Sequence, residues 1–130
     1  LNLESLQVSI GSVQAVRDVS LSLQAGECRA LVGESGCGKS ITALALLGLV
    51  PEPGRVTGGR IMFGGTDLRQ LTDADMRQVR GNRIAMIFQE PMTSLNPVFT
   101  IGDQIAEVIQ LHRKADRKTA WKRSIELLGG

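Results

Sequence analysis

With 130 residues, the chain has room for one hydrophobic core and is too short for two comfortable domains. A hydrophobic share of 42% is ordinary for a globular protein, and a net charge of +2 falls short of the basic stripe that marks a nucleic-acid binder. No run of about 18 apolar residues predicts a membrane span, and the first residues lack the charged and apolar regions of a signal peptide.

Residues 1–8 and 13–23 read as strands turned at Gly11-Ser12. In Val19-Ser20-Leu21-Ser22-Leu23 the alternation is strict, which suits a sheet with one wet face. A turn follows at residues 24–27, and Cys28-Arg29-Ala30-Leu31-Val32 reads as a buried strand. Cys28 and Cys37 form neither a disulfide framework nor a metal-ligand spacing, so both are expected as reduced thiols of a cytosolic protein. Cys37 reads as a bystander, although Lys39 and a helix start beside it are features that lower a thiol pKa.

Residues 39–50, rich in Ala and Leu, predict a helix stopped by Pro51-Glu52-Pro53-Gly54. Arg60-Ile61-Met62-Phe63 followed by Gly64-Gly65 predicts one arm of a hairpin. A second phosphate loop at those glycines is the lesser reading, because no helix follows directly. Thr72-Asp73-Ala74-Asp75 resembles a capped helix start leading to Gly81. Residues 84–88 are a short apolar stretch, expected as a central strand of a parallel sheet. After the polar, proline-bounded loop QEPMTSLNP, Thr100 caps a helix carrying Ile101, Ile105, Val108 and Ile109 at helical spacing. A last helix is expected over residues 116–128, with Trp121, Ile125 and Leu128 on one face and Gly129 ending it. The basic cluster Arg113, Lys114, Arg117, Lys118, Lys122 and Arg123 reads as a solvated helix face. His112 reads as a surface residue at a helix end.

The chemistry concentrates in Gly33-x-x-x-x-Gly38-Lys39-Ser40, the Walker A pattern, placed between an expected strand and an expected helix. Successive backbone N–H groups in such a loop curl into a concavity for phosphate oxygens, and the following helix adds its positive end. Gly36 and Gly38 permit angles and approach distances that a Cβ would block. Lys39 brings a full charge to the β- and γ-phosphates, and Ser40 brings a hydroxyl to Mg²⁺. The pattern by itself does not separate a kinase, a GTPase and a motor.

Two separated stretches carry a resemblance: AVRDVSLSLQAGECRALVGESGCGKSITALALLGL and GNRIAMIFQEPMTSLNPVFTIGDQIAE. Together they resemble the ATP-binding subunits of ABC transporters, and more narrowly the peptide-import branch that handles dipeptides, oligopeptides, glutathione and nickel chelates. The fold implied is α/β: a P-loop NTPase core with an antiparallel β subdomain and the start of a helical subdomain, in which the chain is cut. Residues 1–88 would be the β subdomain with the Walker A core, and residues 89–130 the Q-loop and the start of the helical subdomain. The resemblance implies that Gly33, Glu34, Ser35, Gly36, Cys37, Gly38, Lys39, Ser40 and Ile41 hold ATP and that Lys39 and Gln89 serve catalysis. Ser40 and Gln89 would reach Mg²⁺, Gln89 also meeting the attacking water.

Glu90 is not taken as the general base, because in this family the base follows the Walker B strand much further along. His112 is likewise not the family's switch histidine. Adenine commonly stacks on an aromatic in the early β region of the family. The matching position here is Ile10, with Ala15 and Val16 nearby, so an aliphatic contact would replace stacking.

Residues 92–99, with Met92, Leu95 and Phe99 around Pro91 and Pro97, resemble the surface that receives a coupling helix from the transmembrane permease subunits. A loop packed on its own domain is the rival reading. Further implied partners are a second ATP-binding subunit, identical or different, and indirectly an extracytoplasmic solute-binding protein; nucleic acid is not among them. The implied location is peripheral, on the cytoplasmic face of the inner membrane. No LSGGQ signature, Walker B carboxylates or switch histidine occurs in the chain, so weak Mg-ATP binding without turnover is expected of it alone. The alternatives are a non-transport ABC ATPase of DNA repair or translation, and a nucleotide-binding fragment without activity.

Overall fold

The sequence opens with apolar residues at Leu1, Leu3, Leu6, Val8 and Ile10, an alternation that slips by one residue after Leu3. A computed structural model describes the backbone of all 130 residues and every side chain except those of Pro91 and Met92. It shows how the slip is absorbed. Strand β1 (Asn2–Ile10) carries an extra residue at Ser5, whose φ is 49°. Glu4 pairs with Arg60 and Gln7 with Gly58, so three steps on β1 oppose two on the neighbouring strand. The bulge returns Leu6 and Val8 to the face that Leu3 occupies, and all three are buried. Gly59, opposite, has φ 85°, and a Cβ there would lie 2.4 Å from the Ser5 carbonyl oxygen. Only glycine fits that approach.

β1 is flanked by β2 (Val13–Ser22) and β3 (Gly54–Phe63), with β4 (Thr66–Asp67) on the far edge. The sheet is antiparallel throughout, in the order β2-β1-β3-β4. Gly64 (φ 56°) and Gly65 (φ 83°) make the two-residue connection between Phe63 and Thr66. Positive φ at both loop positions is the type I′ requirement, as the hairpin expectation demands. Glu4 and Arg60 add a cross-strand ion pair at 2.7 Å.

Helix α1 (Lys39–Leu46) packs against β1 and β2. It is shorter than the expected span of residues 39–50. Gly48 enters the left-handed region at φ 62°, its N–H donates to Ala45 O at 3.1 Å, and the Leu49 N–H donates to Leu44 O at 2.9 Å. That paired closure ends a helix at glycine, before the prolines are reached. Thr42, Ala45 and Leu47 turn inward and join Leu3, Leu6, Val8, Val16 and Ile61 in the core.

The chain divides into two compact units, residues 1–77 and 78–130. The boundary falls within α2 (Asp73–Val79), whose start is capped by Thr72: Oγ1 accepts from the Asp75 N–H at 3.2 Å and donates to its carboxylate at 2.7 Å. In the second unit, α3 (Ile101–Arg113) and α4 (Arg117–Gly129) pack as a helical hairpin. The buried residues of the pair are small, Ala106 on α3 and Ala120 and Ser124 on α4. Of the expected face, Ile125 and Leu128 are exposed, while Trp121 is partly exposed and lays its ring against Gly102 of α3. Helical spacing places Trp121, Ile125 and Leu128 on one face, while the buried residues of α4 are the small Ala120 and Ser124.

The two apolar segments expected as buried strands are corrections. Residues 28–32 form no strand and are exposed, Val32 at 93%. Residues 84–88 contribute only a single bridge, Arg80 to Ile84, and Ile87 is 92% exposed. A strand exists only where a neighbour accepts its backbone hydrogen bonds, and among the described residues neither segment has a ladder partner.

Candidate nucleotide site

Between Val32 and α1 the chain must reverse within a few residues, and the loop does so through glycines. Gly36 has φ 79° and Gly38, the N-cap of α1, φ 96°. The two are constrained differently. Around Gly36 a Cβ would meet nothing within 4 Å, whereas at Gly38 it would lie 2.8 Å from the Ala15 carbonyl oxygen and 3.3 Å from Val16 Cγ2. Gly38 therefore seats the start of α1 on β2. Behind it, Thr42 is buried, and its N–H and its Oγ1 both donate to Gly38 O at 2.9 Å.

Lys39 turns back over the loop. Its Nζ donates to Gly33 O and to Glu34 O, both at 2.7 Å, and lies 3.4 Å from Cys37 Sγ. These partners are two neutral carbonyls and a thiol, which leaves the ammonium charge uncompensated by any carboxylate among the described residues. Cys37 Sγ also fills the space beside Gly33, where a Cβ would come within 2.6 Å of it. Both cysteines are free and exposed. Gly33, Glu34, Ser35, Gly36, Cys37 and Ser40 are exposed and Gly38, Lys39 and Ile41 half-buried. An uncompensated ammonium and an exposed hydroxyl at a helix start are donors that suit a polyphosphate.

Ile10 is half-buried at the end of β1, paired with Val13 on one side and Gly54 on the other. Val16 is buried, and Ala15 presents its carbonyl to Gly38. Gln89 belongs to the second unit and is exposed, as is Glu90. His112 is half-buried in the last turn of α3 beside Gly81.

The expected partner surface lies in the same unit. Residues 91–94 form a short 3-10 turn, and Leu95, Val98 and Phe99 are exposed; the side chain of Met92 lies outside the described residues. A cleft of about 570 Å³ opens beside Phe99, lined also by Asp103, Gln104, Glu107, Arg117 and Trp121. Thr42 and Gln104 do not stand out in the sequence. Both sit within helices, and the one available signal is the position of Gln104, four residues after the Thr100 cap and within reach of the entering loop.

A glycine-turned loop opening α1, with Lys39 folded back over it, carries the Walker A pattern of P-loop NTPases of the α/β class. The chain belongs to the ABC transporter family, whose model matches residues 16–129. It is 49% identical over 133 residues to the dipeptide transport ATP-binding protein DppD of Bacillus subtilis (strain 168), covering 98% of this chain and 40% of that protein. The oligopeptide transport ATP-binding protein OppD of the same organism is 50% identical, over 91% of this chain and 33% of its own length. The glutathione import ATP-binding protein GsiA of Salmonella choleraesuis (strain SC-B67) is 52% identical, over 89% of this chain and 20% of its own. The chain thus spans 40% or less of each of these relatives. Family membership implies ATP as the nucleotide. No helix among the described residues is long and apolar enough to cross a membrane.

Proposed function

We propose that this chain is the nucleotide-gripping part of an ATP-hydrolysing subunit that drives ABC-type import of peptides or related small solutes across the cytoplasmic membrane. The observation that carries the reading is Lys39 Nζ, held over the loop at 2.7 Å from two backbone carbonyls with no carboxylate to neutralise it. In this reading Gly33 to Ile41 hold the triphosphate: their N–H groups meet phosphate oxygens, and Lys39 exchanges its carbonyl partners for the β- and γ-phosphates. Ser40 and Gln89 are the residues that would hold Mg²⁺, which would supply charge neutralisation to the phosphates. Gln89, as a neutral amide, can accept from water or offer its oxygen to the metal. Ile10, with Ala15 and Val16, would give adenine an aliphatic contact in place of a ring stack.

The division at residues 88/89, between the ATP-binding core and the Q-loop with the helical part, belongs to the same reading. So do the partners: a second ATP-binding subunit, permease subunits meeting residues 92–99, and a solute-binding protein acting through them. The protein would sit peripherally on the cytoplasmic face of the membrane. Relatives named for dipeptide, oligopeptide and glutathione transport support a peptide-like cargo. Hydrolysis needs transition-state stabilisation from groups not found in these 130 residues, so this chain alone would bind Mg-ATP feebly at best and not turn it over. The test is nucleotide retention by the full-length protein. Lys39→Ala should weaken ATP binding roughly ten- to a hundredfold, as loss of a charge-assisted contact predicts. Unchanged affinity would refute the proposal.

A further inference from the structure

Asn96-Pro97-Val98-Phe99 forms a turn closed by the Phe99 N–H donating to Asn96 O at 3.3 Å. Asn at the first position and Pro at the second are what such a turn favours. Asn96 Oδ1 also accepts from the Val98 N–H at 3.0 Å. The turn carries an apolar tip into solvent, with Val98 82% and Phe99 59% exposed. A protruding turn with so little burial of its own belongs to the part of a protein that opens most easily.

Gln104 opposes that. It lies in the first turn of α3, where the Cα–Cβ bond leans toward the helix N-terminus and so toward the entering chain. Its Oε1 accepts from the Asn96 N–H at 2.9 Å. Its Nε2 donates to Asn96 O at 2.9 Å and to Phe99 O at 3.1 Å. The amide therefore grips both ends of the turn. Capping of α3 does not require it, because Thr100 Oγ1 already accepts from the Asp103 N–H at 3.1 Å.

We propose that Gln104 is a positioning residue for partner docking: it clamps residues 96–99 so that Val98 and Phe99 meet the membrane-embedded subunit as a pre-formed apolar tip. This rests on the docking reading given above. Ordering a loop before association removes a cost that binding would otherwise meet, so the clamp acts on affinity without touching the partner.

The experiment uses the full-length subunit and its permease subunits in detergent, comparing Gln104→Met, which keeps length but loses the amide, Gln104→Asn, too short to reach Asn96, and Phe99→Ala. Association constants, amide exchange at Asn96 and ATP affinity of the free subunit are measured together. Both Gln104 variants should speed exchange at Asn96 and weaken association about tenfold, with ATP affinity unchanged. A residue serving only the stability of α3 would lower the melting temperature and leave association intact well below it. Association unchanged in both Gln104 variants while Phe99→Ala weakens it overturns the positioning role alone. Association unchanged in Phe99→Ala overturns the docking reading beneath it.

Discussion

At the scale of single residues, two glycines of the same loop are required for different reasons. Gly36 needs only freedom of φ, since open space surrounds the position of its missing Cβ. Gly38 needs that freedom and the close approach to Ala15 O. An alanine in the left-handed region costs about 1–2 kcal/mol, and at position 38 the backbone of β2 must also yield. Gly38→Ala should therefore destabilise the chain more than Gly36→Ala in urea unfolding and shift the start of α1 away from β2. Equal effects of the two would show that the contact with β2 carries no weight. Gly33 is a third case: its neighbour is the movable Cys37 Sγ, which can rotate aside.

At the scale of elements, the helices begin where side chains replace missing backbone partners. Asp116 caps α4 by accepting from the Lys118 and Thr119 N–H groups and from the Thr119 hydroxyl. The Thr119 hydroxyl, and after it the Thr119 and Lys118 amides, hold the Asp116 carboxyl below its ordinary value of 3.8. A carboxyl depressed on folding stabilises above its unfolded value and loses that contribution as pH falls through the lower, folded one. The helical signal of α4 should thus persist down to pH 3.8 and decline below it. Asp116→Asn keeps an acceptor without a titration, so it should flatten that decline in circular dichroism. A decline of the same size in the Asn variant would assign the effect to other carboxylates.

At the scale of the whole molecule, the antiparallel sheet satisfies itself and the apolar segments at 28–32 and 84–88 do not. The sheet joins neighbours in sequence through tight turns, whereas these segments have no strand beside them among the described residues. Hydrogen exchange on this chain should show it directly. Amides of Leu31, Val32, Ile87 and Phe88 should exchange almost as freely as in an unfolded peptide, while those of β1 and β3 remain protected. Strong protection at Leu31 and Ile87 would mean that the segments find partners in solution. Their exposed apolar side chains also make them the surfaces most prone to association.

Much of this protein was legible without coordinates, because the rules that governed it act within a few residues. Gly64-Gly65 favoured a tight turn over a second phosphate loop, Thr72, Thr100 and Asp116 could each reach an amide two or three positions on, and the Walker A spacing set Lys39 at the start of a helix. Family likeness rested on the same kind of local pattern. Folding in three dimensions decided what those patterns cannot contain: that Ser5 bulges to keep Leu6 and Val8 inward, that Gly48 stops α1 early, and that the small Ala106, Ala120 and Ser124 are the buried residues of α3 and α4. It also decided that Gln104 grips a turn eight residues before it. Burial and strand pairing depend on which neighbours are present, and a neighbour is a property of the assembled chain rather than of any stretch within it.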